Sequence, residues 1–295
     1  MGTRPYPAMG VLRSRAVVES STWMQGDKIA VPGVHDVLVA GPAGRLPARV
    51  YHPEPESVLP LVLYFHGGGW VTGSVAVADR PCRALAMAAR AVVVSVEYRR
   101  APETPFPGPA EDCFAALSWV ATHARELNAD ATRLVVAGDS AGGNLAAATA
   151  LMSRDRGGPP IAHQLLMYPC LLPAERSPFQ SYRDNADGYM LTREDMEWFW
   201  AHYLGSDPDT GSPYAAPLRA PNLRGLPPAT IVTAQFDPLR DEGNAYARRL
   251  RDNGADVESI EWPGAIHGFF WMAGELVQAR ELTTHVGAAL RRRLS

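Results

Sequence analysis

The sequence predicts an α/β fold in which a mostly parallel central sheet carries helices on both faces. Two observations lead to this prediction. Six short runs are apolar on nearly every residue and rich in β-branched side chains, as strands covered on both faces must be. Longer segments with a helical period alternate with these runs, and strands that alternate with helices form parallel sheets with right-handed crossovers.

The elements follow one another in a regular order. The predicted strands are Leu61–His66, Ala91–Tyr98, Leu134–Asp139, His163–Tyr168, Ala229–Phe236 and Val257–Trp262. The predicted helices are Arg80–Arg90, Ala110–Glu126, Ala141–Arg154, Asp241–Asn253 and Glu275–Arg293. Two earlier runs, Val37–Ala40 and Ala48–His52, flank a turn segment that contains Gly and Pro, and they predict an antiparallel hairpin at one edge of the sheet.

The alternation breaks between about residues 171 and 228, where eight prolines surround one predicted helix, Arg193–Leu204. This segment is too long for a plain connection between two elements. We therefore expect a cap insertion at residues 175–215 and a core built from residues 36–174 and 216–295. The first 35 residues have no strand pattern and are expected to join the cap.

The composition excludes several classes of protein. With 46% hydrophobic and 20% charged residues among 295, the chain matches a folded globular protein. A net charge of −3 argues against nucleic-acid binding, because phosphates attract a cationic surface. No apolar run reaches the roughly 18 residues of a membrane span, so we expect a cytoplasmic protein without a stable membrane anchor. Cys82, Cys113 and Cys170 fit neither a disulfide framework nor a metal site.

The segment 134–144 passes from a buried strand into an alanine-rich helix and contains G-x-S-x-G as Gly138, Ser140 and Gly142. A serine at the tip of such a turn has a strained backbone, so the two flanking glycine positions have no room for a Cβ. The amide of Ala141 then lies at a helix N-terminus, which favours a developing anion. The pattern indicates a serine nucleophile; the alternative is a glycine-rich turn that only joins the two elements.

A serine nucleophile needs a general base, and the base needs an acid that orients it. Asp237 follows one predicted strand directly, and His267 lies in the loop after the next strand. Both therefore emerge at the carboxyl edge of the sheet, as Ser140 does, in the chain order Ser, Asp, His that hydrolases of this type use. Asp241 is the rival acid, but its position predicts a carboxylate that caps amides in the first turn of a helix.

Three glycines follow the first buried strand directly, as His-Gly-Gly-Gly-Trp at residues 66–70. Ordering consecutive glycines costs backbone entropy, so a fold keeps them where the backbone must approach another group closely. The functional interpretation is an oxyanion loop in which two glycine amides join that of Ala141. The alternative is a flexible glycine turn, which the position directly after a buried strand disfavours.

Five motifs stand in this order along the chain: His66–Trp70, the stretch Glu97–Glu103 with Phe106–Pro107 and Asp112, Gly138–Asn144, Asp237–Gly243 and His267–Phe269. Together they resemble the hormone-sensitive-lipase-like carboxylesterases, also called bacterial family IV, of the GDSAG subgroup. The resemblance implies an α/β-hydrolase fold with a small helical cap. It also implies hydrolysis of short-to-medium acyl esters through an acyl-enzyme, with no metal and no cofactor.

The resemblance assigns roles residue by residue: nucleophile Ser140, base His267, acid Asp237, and oxyanion-hole donors Gly68, Gly69 and Ala141. It makes His66 a brace for the glycine loop, and it makes residues 98–103 and Asp112 a framework beneath that loop. Arg100 stands where the family usually has leucine. The family often dimerises, so the resemblance also allows a homodimer.

The substrate pocket is the part that the motifs define least. Candidate contacts are Trp70, Tyr189, Met190 and Trp198, although an aromatic run at 198–203 is also typical of packing within a cap helix. The expected partner is a small-molecule ester. A dedicated deacetylase or esterase of a natural-product or antibiotic intermediate is one alternative. A non-catalytic ligand receptor on the same fold is another, which the presence of His267 disfavours.

Overall fold

The computed structural model describes residues 5–208 and 210–295, and eight strands of this part of the chain form one sheet. The strands are β1 (Gly33–Gly41), β2 (Gly44–His52), β3 (Leu59–Phe65), β4 (Val92–Val96), β5 (Ala129–Asp139), β6 (His163–Met167), β7 (Ala229–Phe236) and β8 (Val257–Ile266). Their order across the sheet is β1-β2-β4-β3-β5-β6-β7-β8. Strands β3 to β8 are parallel to one another, and β2 runs antiparallel to both of its neighbours.

Helices cover both faces of the sheet, as the sequence predicts. The α-helices are α1 (Tyr6–Ser20), α2 (Asp79–Ala89), α3 (Gly108–His123), α4 (Ala141–Arg156), α5 (Ser181–Asp184), α6 (Arg193–Leu204), α7 (Arg240–Asp252) and α8 (Val277–Arg293). Side chains alternate along a strand, so β3 contributes to two cores. Leu61, Leu63 and Phe65 join the core beneath α3, α4 and α7, whereas Val62 and Tyr64 join the core beneath α2 and α8.

Most predicted elements lie within a few residues of their predicted bounds. The bounds of β7 and α6 are those that the sequence predicts. Strand β4 ends two residues before the predicted end at Tyr98. The following stretch turns to support the glycine loop, where the N–H of Ala101 donates to the carbonyl of Trp70 at 2.9 Å. Strand β8 continues beyond Trp262 to Ile266.

The N-terminal boundary needs a correction. Strand β1 begins at Gly33, which pairs with His52, so the predicted core boundary at residue 36 lies inside a strand. The predicted hairpin is confirmed at the sheet edge, with both strands longer than expected. The alternating pattern is weak in β1 because an outermost strand leaves many of its side chains exposed and needs few apolar residues.

Helix α1 packs against α6, a helix of the proline-rich insertion. The centroid of the Tyr6 ring lies 4.7 Å from that of Phe199 and 6.2 Å from that of Trp198. The backbone N–H of Tyr6 donates to Asp195 Oδ1 at 2.8 Å. The N-terminal segment, which precedes the alternating strands and helices, therefore contacts the proline-rich insertion that interrupts them.

A single arginine ties α1 to the region after β3. Arg15 Nε donates to the carbonyl of Val71 at 2.8 Å, and its guanidinium forms an ion pair with Glu103 at 2.7 Å. The helix is interrupted at Gly10, whose φ of 70° and ψ of 172° are not helical. The part of α1 that carries Arg15 is thus fixed to the core independently of the part that carries Tyr6.

Candidate active site

Ser140 stands on a sharp turn between β5 and α4. Its φ of 54° and ψ of −120° are unfavourable for a residue with a side chain, and such strain is typical of functional turns. A Cβ on Gly142 would overlap the carbonyl of Phe65, and one on Gly138 would overlap the backbone of Gly142. Only glycine therefore allows the helix to begin this close to β3, and the G-x-S-x-G spacing follows from this packing.

The structure brings Ser140, His267 and Asp237 into one hydrogen-bonded chain of buried side chains. Ser140 Oγ lies 2.9 Å from His267 Nε2, and His267 Nδ1 lies 2.7 Å from Asp237 Oδ2. A carboxylate only accepts, so Nδ1 carries the proton and donates it, which leaves Nε2 free to accept from the serine hydroxyl. The other carboxylate oxygen of Asp237 accepts the N–H of Leu239 at 2.9 Å, which fixes the orientation of the group.

Asp241 does not contact this chain of side chains. Its Oδ2 accepts the backbone N–H of Ser181 at 2.9 Å, and its Oδ1 accepts from Arg240 at 2.9 Å. The residue lies in the first turn of α7, as expected, but the amide that it binds belongs to α5 and not to its own helix. Its role is to join α5 of the insertion to α7.

Three backbone N–H groups belong to residues close to Ser140: Gly68 and Gly69 line the same cavity as Ser140, and Ala141 follows it in the chain. Gly68 and Gly69 follow β3 with positive φ values of 118° and 59°, and Ala141 is the first residue of α4. Within residues 5–208 and 210–295, none of these three groups donates to a protein acceptor. A Cβ on Gly69 would overlap the ring of Phe199. The loop is thus confined to glycine by both conformation and space.

The residue before Ser140 anchors the glycine loop. Asp139 Oδ1 accepts the N–H of Gly67 at 2.9 Å and the hydroxyl of Tyr64 at 2.5 Å. Burial raises the pKa of Asp139 from 3.8 to about 6, although the two donors and the nearby imidazole of His267 oppose the rise. The turn that carries Ser140 and the glycine loop are therefore joined through one buried carboxyl group.

His66 braces the same loop, in agreement with the role that the resemblance implies. Its Nδ1 lies 2.8 Å from the carbonyl of Gly67, to which it donates, and its ring stacks on Tyr98 with centroids 4.4 Å apart. The Tyr98 hydroxyl donates to the carbonyl of His66 at 2.7 Å. Burial lowers the pKa of His66, which keeps the imidazole neutral in this position.

The framework beneath the loop contains two arginines with different roles. Arg99 forms an ion pair at 2.7 Å with Asp112, which is fully buried. Arg100, the departure from the family pattern, donates from Nη1 to the carbonyl of Gly73 at 2.6 Å. This arginine therefore supports the end of the glycine loop by a hydrogen bond, where a leucine side chain could act only by packing.

A mostly apolar cavity of about 110 Å³ lies against Ser140 and His267. Besides the glycine loop and the turn that carries Ser140, three parts of the chain form its walls: the N-terminal segment, the insertion, and the stretch after His267. The walls include Tyr6, Gln25, Met190, Met196, Phe199 and Trp271. Of the four predicted pocket residues, Met190 lines this cavity.

The other three predicted pocket residues lie elsewhere. Trp70 is fully buried and stacks on Tyr203 with centroids 4.1 Å apart, because its φ of 60° directs the ring into the core. The prediction of a substrate contact is therefore corrected to a core position. Tyr189 stacks on Phe236, and Trp198 packs edge-on against His202, which matches packing within a cap helix.

Sequence reasoning missed most of the wall. Tyr6, Met24 and Gln25 come from the N-terminal segment, which carries no motif, and no local pattern indicates that they reach the cavity. Trp271 and Met272 do have a signal, since they lie within five residues after His267 in the chain. Among the described residues, no group of three or more His, Cys, Asp or Glu side chains could hold a metal ion. In the same part of the chain, no helix has the length and apolarity of a membrane span.

Comparisons with known proteins agree with this architecture. A family model described as alpha/beta hydrolase fold matches residues 62–271. Esterase LipI of Mycobacterium tuberculosis is 45% identical over 263 residues, which cover 88% of this chain and 81% of LipI. The arylesterase of Saccharolobus solfataricus is 37% identical over 83% of this chain and 79% of its own length.

Solved structures give the same result. An esterase of Pyrobaculum calidifontis superposes with a TM-score of 0.92 at 40% identity, over 98% of this chain and 95% of its own. The carboxylesterase EstE1, cloned from a metagenomic library, superposes with a TM-score of 0.94 at 38% identity, over 98% of this chain and 99% of its own. The chain therefore belongs to the alpha/beta hydrolase fold family, and its resemblance to the hormone-sensitive-lipase-like esterases is confirmed.

Proposed function

We propose that the protein is a serine-dependent carboxylic ester hydrolase that acts on short-to-medium acyl esters. The observation that carries the proposal is the hydrogen-bonded chain from Ser140 through His267 to Asp237, set beside three backbone N–H groups without protein acceptors. The similar proteins described above are named as esterases, which supports the same chemistry. Ser140, His267 and Asp237 are then nucleophile, base and acid.

The first half of the reaction forms an acyl-enzyme. Ser140 Oγ attacks the ester carbonyl while His267 Nε2 takes the hydroxyl proton, and Asp237 stabilises the imidazolium that forms. The carbonyl oxygen becomes an oxyanion, which accepts from the amides of Gly68, Gly69 and Ala141. When the tetrahedral intermediate collapses, the C–O bond to the alcohol breaks and His267 returns the proton to the leaving oxygen.

The second half returns the serine to its starting state. Water gives a proton to His267 Nε2 and attacks the acyl carbon, so a second oxyanion forms against the same amides. Collapse breaks the bond to Ser140 Oγ, which regains its proton from His267. The products are a carboxylic acid and a free enzyme, and one histidine acts first as base and then as acid in each half.

The size of the cavity supports a short acyl chain. An engineered apolar cavity of about 150 Å³ in another protein holds benzene, with six carbons. The cavity beside Ser140 has about 110 Å³ and mostly apolar walls. A chain of four to six carbons is therefore the expected upper range, by an order-of-magnitude comparison of volumes.

We also propose that the N-terminal segment and residues 175–215 act as a cap over the site. Support comes from the contact between Tyr6 of α1 and Phe199 of α6, because both side chains also line the cavity. Substrate selection then depends on these two segments, while the chemistry depends on the core.

The proposal extends to the setting in which the enzyme works: in the cytoplasm, as a homodimer, and without a nucleic-acid partner. The three cysteines are buried free thiols, which suits a reducing compartment. Strand β8 ends the sheet, and its outer edge can accept a second copy. The net charge of −3 opposes binding to phosphates. Light scattering should give twice the mass of one chain; a single-chain mass would contradict the dimer.

The proposed chemistry is tested by Ser140→Ala assayed with p-nitrophenyl butyrate. The matched control is Ser118→Ala, which removes a hydroxyl that donates to the carbonyl of Phe114 within α3, away from the site. We expect Ser140→Ala to lose hydrolysis while it keeps the circular dichroism spectrum and melting temperature of the wild type. Ser118→Ala should keep its activity. Hydrolysis retained by folded Ser140→Ala would overturn the assignment.

A further inference from the structure

A second cavity lies next to the catalytic cavity and shares a wall with it. It has about 690 Å³ and lies between the segment after α1, helix α2 and helix α8. Gln25 and Trp271 line both cavities. These two side chains therefore stand between a small space at Ser140 and a much larger one that leads to the surface.

The lining of the second cavity is mostly apolar and can take an aliphatic chain, although Asp27, Arg80 and Arg280 also form part of its wall. Its walls include Ile29, Ala84, Met87 and Phe270. Ile29 and Met87 are 45% and 43% exposed, so part of this apolar wall is open to solvent. An aliphatic group that entered from the catalytic side would bury apolar surface here, which is favourable.

The two members of the wall are held in different ways. The Gln25 side chain is buried and its amide donates to the carbonyl of Val77 at 2.9 Å. The indole N–H of Trp271 is buried and has no acceptor at normal hydrogen-bond geometry among the described residues. It does lie close enough to Asp139 to oppose the rise in the pKa of that carboxyl. Trp271 is thus held mainly by packing, and its ring is the removable part of the wall.

The backbone around the wall is close-packed, so the wall is not a flexible loop. The N–H of Gly274 donates to the carbonyl of Met24 at 2.9 Å. A Cβ on Gly26 would lie 2.9 Å from the Cα of Gly274, which leaves no room for a side chain. The two segments that carry Gln25 and Trp271 therefore contact each other through backbone atoms, and removal of one side chain should leave their paths unchanged.

We propose that Trp271 is the residue that limits the length of the aliphatic chain of the ester, by closing the catalytic cavity against the second cavity. This inference rests on the proposed ester hydrolysis and names the substrate class for the same site: esters whose chain ends at the Trp271 ring. Without the ring, the two cavities join into one mostly apolar channel, and longer chains become substrates.

The test compares chain-length profiles of kcat/KM for the wild type, Trp271→Ala and Trp271→Phe. The substrates are p-nitrophenyl esters from acetate to decanoate and alkyl acetates from ethyl to decyl, because the chain can reach the wall from either side of the ester bond. In Trp271→Ala, we expect the ratio of kcat/KM for the ten-carbon chain to kcat/KM for the four-carbon chain to rise by about tenfold or more in one of the two series. An increase of this size corresponds to at least one additional methylene bound in an apolar pocket. Trp271→Phe should show a smaller rise.

The matched control is Trp23→Ala, which removes the same side chain from a position 66% exposed on the adjacent segment. Its profile should equal that of the wild type. If Trp271→Ala does not fold, as judged by its melting curve, Trp271→Phe decides the question. A folded Trp271 variant with the wild-type profile in both series would overturn this inference alone. A wild type inactive on every ester would overturn the proposed function instead.

Discussion

Asp139 accepts the backbone N–H of Gly67 at 2.9 Å, so the residue before Ser140 also holds the glycine loop. The proposed oxyanion hole needs amides from two separate segments, the loop after β3 and the start of α4. Geometry in such a site must be kept within a fraction of an ångström. The buried carboxyl group of Asp139, which precedes α4 and binds the loop after β3, supplies this constraint.

The first prediction concerns this contact. Asp139→Ala should lower kcat for p-nitrophenyl butyrate by about 100-fold, because a shift of about 1 Å in a catalytic group has an effect of this size. Asp139→Asn keeps an oxygen that can accept from Gly67 and Tyr64, so its kcat should stay much closer to that of the wild type. KM should change little in either variant. Steady-state kinetics measure kcat and KM. Equal kcat in Asp139→Ala and the wild type would show that the loop does not depend on Asp139.

The second prediction concerns stability against pH. The pKa of Asp139 is raised from 3.8 to about 6 in the folded protein, so the folded state binds this proton more tightly than the unfolded state. The bound proton therefore stabilises the folded state fully below about pH 4, and this stabilisation is lost as the pH rises through about 6. Two pKa units correspond to about 3 kcal/mol.

Urea unfolding of the wild type and Asp139→Asn measures this loss. The free energy of unfolding of Asp139→Asn, relative to the wild type, should increase between about pH 4 and pH 7 by up to about 3 kcal/mol. Asp252→Asn, at an exposed position in α7, serves as the control and should follow the wild type. A difference between Asp139→Asn and the wild type that stays constant with pH would contradict the raised pKa.

The third prediction separates the two candidate acids. Asp237→Asn should lower kcat by about 10,000-fold, because an amide facing Nδ1 favours the wrong tautomer of His267. Asp241→Asn should leave kcat near the wild-type value, since Asp241 binds Ser181 and Arg240. The assay is again p-nitrophenyl butyrate hydrolysis near neutral pH. A larger loss of kcat in Asp241→Asn than in Asp237→Asn would reverse the assignment.

The fourth prediction concerns the attachment of α1. Arg15→Gln removes the exposed ion pair with Glu103, which contributes up to about 1 kcal/mol, and weakens the hydrogen bond to Val71, where a charged donor contributes about 1.5–3 kcal/mol. We expect faster hydrogen exchange across α1 and a higher KM, because α1 lines the cavity. Arg13→Gln, at an exposed position of the same helix, is the matched control. Unchanged exchange in Arg15→Gln would show that α1 is held by its apolar contacts alone.

The core and the meeting of Ser140, His267 and Asp237 could be predicted because their signals are local. Buried parallel strands are apolar throughout, and the elbow needs glycine at Gly138 and Gly142 for steric reasons that act within a few residues. Asp237 and His267 are each the first residue after the end of a strand. Parallel topology places the carboxyl ends of these strands at one edge of the sheet. Each of these inferences uses only neighbours in sequence or a rule of topology.

The cavity wall could not be predicted because its contacts are between distant segments. Tyr6 is held at the cavity by its contacts with α6, among them the ring of Phe199, almost two hundred residues later in the chain. Trp70 follows the glycine loop directly and is a reasonable candidate, but its positive φ directs the ring away from the site. Strand β1 was missed at its start because an exposed edge strand has little apolar pattern. These features depend on tertiary packing that no local motif encodes.

The most direct test of the account is covalent capture of the nucleophile. The protein is treated with a p-nitrophenyl butylphosphonate, which reacts with an activated serine and cannot be turned over by water at a comparable rate. The account predicts release of one equivalent of p-nitrophenol per chain, with the phosphonyl group on the peptide that contains Ser140 by mass spectrometry, and no release from His267→Ala. Modification of any other residue, or full labelling of His267→Ala at the wild-type rate, would contradict the assignment of Ser140 and His267.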